Sequence, residues 1–245
     1  MIWANHLFMG KFLAVMIKLA TALEEPQMEM KDQVFELIKA LKHDQAIELI
    51  ESLESPEEVA ELYSNVMKET YWIDKNGSSV VFFGKAGVVY SLKKNMKAWA
   101  KTLAYDVAAN TWPGWGDEGV IISPEEMEEG LNMAKLNLIL TLELNKPKDK
   151  VALAHWLIGA HLMAKVEFGL AIGAFEISQE ISFEITDNQT VFVNDGYIGI
   201  CKILRDDEDG SFQFQNAIKS LEDLGTEDSK FYVNQLKTAR AIFER

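Results

Sequence analysis

The chain reads as all-α, built from antiparallel helix pairs stacked in series, and three observations carry that prediction. Residues 151–178 are apolar on nearly every side up to Ala164, save for His155 and His161. They then set Phe168, Ala171, Ile172 and Phe175 on one helical face, and Lys165, Val166 and Glu167 leave room only for a tight turn between the two helices. Ser55-Pro56-Glu57-Glu58 and Ser123-Pro124-Glu125-Glu126 repeat one helix-start signal, a capping Ser, a Pro at the first helical position and a capping-box Glu. Helix pairs also recur about every 30 to 45 residues, the pattern of a solenoid in which stacking supplies the core.

In order along the sequence, residues 1–27 form an N-terminal helix or a leader segment. Lys11, the apolar run 12–17 and Ala20-Thr21-Ala22 resemble a secretory signal, whereas Lys18 cuts the apolar run short. The repeat domain is expected over 28–245. Val34, Leu37, Ile38 and Leu41 make one helical stripe, His43-Asp44 a turn, and Ala46, Ile47, Leu49 and Ile50 the next stripe. The helix started at Ser55 runs toward Tyr71, and residues 74–79 are turn chemistry. Residues 79–92 are assigned to a helix: Val80 to Phe83 alone could form a strand, but Gly84, Gly87 and Ser91 share a face where helices pack closely. Residues 94–112 continue helically until Pro113, which pushes its predecessor out of the α region.

An inserted loop at 111–123 follows, then the helix started at Ser123, which carries Met127, Leu131, Ala134, Leu138 and Leu142. Beyond the pair at 151–178, residues 181–193 alternate apolar and polar side chains and admit a hairpin, which the helical flanks and the lack of a sheet to join argue against. Residues 195–204, 212–224 and 229–243 are read as helices.

Composition narrows the function classes. With 24 basic and 38 acidic residues in 245, the formal net charge is −14, so the surface repels phosphate backbones and nucleic acid is not expected as a partner. No stretch approaches the roughly 18 to 20 apolar residues of a transmembrane segment. The single cysteine, Cys201, sits in an apolar run and reads as a buried thiol. A cytoplasmic location is expected, or export if residues 1–22 are a signal peptide.

Within the pair at 151–178, His155, Ile158-Gly159 and Leu162 fall at first-helix signature positions, and Ala171 and Phe175 at second-helix ones. This pattern resembles the tetratricopeptide repeat in its glycine, alanine and phenylalanine and departs from it at His155 and Leu162. Ala134, Leu138 and Thr141 look like a preceding second helix, and Phe83, Ala86-Gly87 and Tyr90 like another first helix. The resemblance implies a right-handed α-α superhelix of helix pairs, with first helices lining a concave groove that binds a protein or peptide. One version of that groove clamps a carboxylate with Lys and Asn, but the matching positions here are Leu153, Trp156, Leu157, Ala160 and Met163. Gly159 is expected at a helix crossing.

Candidate site residues cluster around the inserted loop. Trp112 and Trp115 bracket Pro113-Gly114, a rigid aromatic turn beside Asp117 and Glu118. The rings either pack back over the helices or form a lip on the groove, with Trp115 as an anchor near His155 and Trp156. An alternative is an enzyme, or its accessory subunit, with a site under residues 111–123 built from His155, His161 and nearby acids, which requires a base, its orienting partner and a pocket to converge. No phosphate-binding or dinucleotide glycine motif and no nucleophile elbow occurs, so neither a catalytic residue nor a cofactor is assigned. No metal site is assigned either. His155 and His161 lie about 240° apart around a helix. The acidic turn at 205–210 matches a calcium loop at Asp207, Asp209 and Gly210 but has Arg205 and Asn216 where ligands are needed.

Overall fold

The computed structural model describes residues 29–73 and 75–244, so the leader expected over residues 1–27 lies outside them. Among the described residues there are eleven α-helices and one 3-10 turn, and no strand. The described residues fall into two units that divide after Leu49. In the first, α1 (Met30–Lys39) buries Val34, Phe35 and Ile38. Leu41 does not extend that stripe: it takes φ 58° in the turn and is 80% exposed, and α2 (His43–Glu51) follows.

The second unit runs α3 (Pro56–Trp72), α4 (Gly77–Lys93), α5 (Lys97–Asn110), the 3-10 turn (Pro113–Trp115), α6 (Pro124–Glu143) and α7 (Lys148–Ala164). It continues with α8 (Phe168–Glu184), α9 (Asn188–Leu204), α10 (Gly210–Leu224) and α11 (Glu227–Phe243). From α3 onward each helix packs on the next in sequence. Both Ser-Pro-Glu-Glu signals start helices. At Ser123 the capping box closes in both directions, and at Ser55 the hydroxyl accepts the Glu58 N–H at 3.3 Å. Glu126 does more than cap: it is buried and also accepts a hydrogen bond from Ser78 Oγ at 2.7 Å, tying the start of α6 to that of α4.

One turn recurs. Asn95, Asn145, Val166, Thr186 and Asp206 all have φ between 48° and 64°, and the N–H of each following residue reaches back to the helix it leaves. Met96 donates to the Ser91 carbonyl at 2.8 Å and Glu167 to that of Leu162 at 2.9 Å, as Schellman closures. Asn and Asp tolerate this left-handed backbone through local side-chain hydrogen bonding, whereas Val166 and Thr186 hold it at a cost of about 1–2 kcal/mol each. The hairpin admitted at 181–193 does not form. Ser182, a polar position of the alternation, is a buried helical residue whose hydroxyl donates to the Ser178 carbonyl at 2.8 Å, while apolar Phe183 is 72% exposed. Likewise residues 94–112 are not one helix, because Asn95 closes α4 and α5 begins at Lys97.

Close approach explains the small residues. A Cβ on Gly84 would fall 2.0 Å from Val107 Cγ2, and one on Gly159 would fall 2.7 Å from the Phe175 ring, so α7 and α8 do cross at Gly159. Gly199 stands in the equivalent place on α9, with the Phe214 backbone nitrogen 2.7 Å from where its Cβ would be. Around these crossings an aromatic core forms. Trp112 meets Trp156 edge to face at 5.6 Å, Trp156 meets Tyr197 at 5.6 Å, and Tyr197 stacks on Phe175 at 5.2 Å. Such pairs add about 0.5–1.5 kcal/mol each beyond the area they bury.

Candidate binding clefts

The loop at 111–123 turns both of its indoles inward. Trp112 is 1% exposed and donates from Nε1 to the Ala160 carbonyl at 3.0 Å, so it fastens the loop to α7 as part of the core. A Cβ on Gly114 would sit 2.2 Å from the Trp112 ring, which is why glycine follows Pro113. Trp115 stacks edge-on against Trp112 at 4.7 Å and donates to the Ala109 carbonyl at 2.6 Å, yet keeps part of its surface open. Gly116, at φ 69°, lies where a Cβ would meet Thr238 Cγ2 at 2.9 Å, so α11 packs directly on the loop. The C-terminal helix thus returns to the middle of the unit, alongside α5 and α9.

Two adjoining clefts result, sharing Trp115, Phe231 and Gln235. The first, about 460 Å³, is walled by Tyr71 and Trp72 at the end of α3, by Ala109 and Asn110 of α5, and by α11. Among the described residues, Asp117 contributes its only charge. The second, about 320 Å³, lies between Tyr105 of α5, Leu153 and Trp156 of α7, Val193 of α9, and Tyr232 of α11. Every described helix that lines them belongs to the alternate series α3, α5, α7, α9 and α11; α4, α6, α8 and α10 contribute nothing. Trp72 and Phe231 are 56% and 59% exposed, so both rings are open to an occupant.

Tyr71 donates its hydroxyl proton to the Asp117 carboxylate. Burial first, and that carboxylate second, raise the phenol well above its ordinary range, so it remains a donor. At the second cleft Asp149 pairs with Lys150 at 3.0 Å, and Asp187 accepts the Thr190 N–H at 3.1 Å as the cap of α9. Among the described residues, Trp156 Nε1 and Gln235 Oε1 are buried without a hydrogen-bond partner, although both side chains line this cleft. Buried polar groups left unpaired cost about 1–3 kcal/mol each.

Of the residues the sequence singled out, Trp115 and Asp117 line the first cleft, and Trp115 and Trp156 the second. Trp112 lies beneath them in the core, while Glu118 is exposed and lines neither. His155 is half-buried, its imidazole pKa lowered by burial, and it too lines neither cleft. His161 is fully buried and hydrogen-bonds from Nε2 to the Ala108 carbonyl at 2.8 Å. Burial pushes its pKa down to about 4, against the opposing pull of the Ala108 and Met127 carbonyls, so it is a neutral packing group near the loop. Burial likewise pushes the Cys201 thiol up to about 12. The acidic turn at 205–210 is paired rather than open, with Lys202 2.6 Å from Asp209 and Arg205 3.5 Å from Asp207.

Tyr71, Trp72, Phe231 and Gln235 escaped the sequence reading, though a signal was present. Tyr71-Trp72 and Phe231-Tyr232 are adjacent aromatics in helices, about 100° apart, so the second ring of each pair falls at or beyond the edge of a core face centred on the first. No protein-family model matches this protein, and no curated protein is similar to it.

Proposed function

We propose that the protein is a binding module of the tetratricopeptide-like kind, whose alternate helices face a groove that holds a peptide segment of a partner protein. The observation that carries this reading is the lining of the two clefts, whose helices all belong to the alternate series among the described residues, with the open rings of Trp72 and Phe231 among them. A superhelix with right-handed stacking accounts for such an alternation, because it turns every second helix toward one side. The clefts suit an occupant with apolar side chains, since aromatic rings make up much of their lining. Helix pairs starting at residues 148 and 188 give a longer period than the roughly 34 residues of the tetratricopeptide consensus, so the likeness is one of architecture.

The test is selection of binders from a displayed library of random peptides, followed by affinity measurement on synthetic copies. Trp72→Ala combined with Phe231→Ala removes two rings that are largely solvent-exposed, so the melting temperature is expected to hold within about 2 °C. Affinity is expected to drop about tenfold or more, as at an interface anchored on aromatic side chains. Failure to select any binder, or equal affinity for both proteins, overturns the reading.

A further inference from the structure

We infer that the first cleft selects a cationic side chain, a lysine or arginine, from the bound segment. This deepens the peptide-binding reading and rests on it. Among the described residues Asp117 is the one charged group lining the cleft, and Trp72, Trp115 and Phe231 line the same cleft. A carboxylate beside open aromatic faces attracts a cation in two ways, by its charge and through the negative faces of the rings.

One face of the Trp72 ring already carries a cation, the protein's own Lys75 with its ammonium 5.5 Å from the ring centroid, so an incoming lysine or arginine displaces it or uses the other rings. Asp117 is engaged by the Tyr71 hydroxyl, but a carboxylate has about four acceptor positions, so one phenol leaves capacity for a guanidinium or ammonium. The acids of the second cleft are committed differently, Asp149 to Lys150 and Asp187 to the start of α9. The overall charge of −14 supplies long-range attraction for the same kind of segment.

The experiment uses the full-length protein and peptides selected as above. Binding of each arginine- or lysine-bearing peptide is compared with that of a copy carrying citrulline or norleucine at the basic position. The neutral copy is expected to bind about tenfold more weakly to the wild-type protein. Asp117→Asn keeps an acceptor for Tyr71 while removing the charge, and is expected to shrink that difference to about twofold or less. If Asp117→Asn does not fold, Phe231→Leu serves in its place, since it keeps apolar bulk but removes one π face and is expected to shrink the difference in the same way. Selected peptides without basic residues, or a neutral copy that binds as well as its parent, overturn the cation subsite and leave the peptide-binding reading intact. A selection that yields no binder overturns both.

Discussion

Adding a single methyl group at Gly199 tests how closely α9 and α10 pack. In an open helix interior, Gly→Ala stabilises by about 0.5–1 kcal/mol, because alanine loses less backbone freedom on folding. Gly173, in the middle of α8, is such a site: a Cβ there would have nothing within 4 Å. At Gly199 the same Cβ would lie 2.7 Å from the Phe214 nitrogen and 2.9 Å from its Cα, backbone atoms that move only if α10 moves. Overpacking of this kind costs about 1–3 kcal/mol, and subtracting the helix gain leaves a net loss of up to about 2.5 kcal/mol. For a protein of this size that corresponds to a melting temperature lowered by up to about 10 °C, against a rise of about 1–4 °C for Gly173→Ala. Thermal melts followed by circular dichroism measure both variants on one instrument. If Gly199→Ala raises the midpoint as Gly173→Ala does, α9 and α10 do not approach this closely and the reading of the crossings fails.

Two further outcomes are expected. His161 titrates near 6.5 when unfolded and near 4 when buried, so as pH falls between these values the unfolded state takes up a proton that the folded one refuses; stability is lost on acidification, on the order of 3 kcal/mol. A urea-melt series from pH 7 to pH 4 on wild type and His161→Gln checks this, the wild type losing more stability over that window than the variant. Val166, 69% exposed at φ 64°, contributes little packing and much strain, so Val166→Asn is expected to raise stability by about 1 kcal/mol in denaturant titration.

Much of the helix content was legible because its signals are local. Ser123, Pro124 and Glu126 form a complete capping box within four residues, and Phe175 lies one turn and one helix from Gly159, the pair that the repeat pattern relates. The left-handed turn at Thr186 was not legible, since a β-branched residue is a poor candidate for positive φ and the hydrogen bond that closes the turn, from Asp187 to Ser182, depends on the finished helix. The clefts were half legible. Trp115, Asp117 and Trp156 stand out by composition, but the opposite wall comes from α11, which meets the loop through Thr238 and Ile242 more than a hundred residues away. No periodicity within α11 says which distant element it will face. Trp112 and Trp115 read alike in the sequence, as rings that either pack back over the helices or form a lip; the role of Trp112 as a core fastener follows from the Ala160 carbonyl, which only the folded α7 presents.

The measurement that bears most directly on the central claim is the set of indole N–H resonances in a two-dimensional ¹⁵N–¹H spectrum, followed as a selected peptide is added to the full-length protein. The sequence has six tryptophans; Trp72 and Trp115 line the first cleft, and Trp99 lines neither cleft. Binding in the first cleft is expected to move the Trp72 and Trp115 signals in a saturable way while that of Trp99 stays in place. Movement of Trp99 with Trp72 and Trp115 unchanged would put the binding surface elsewhere and contradict the claim.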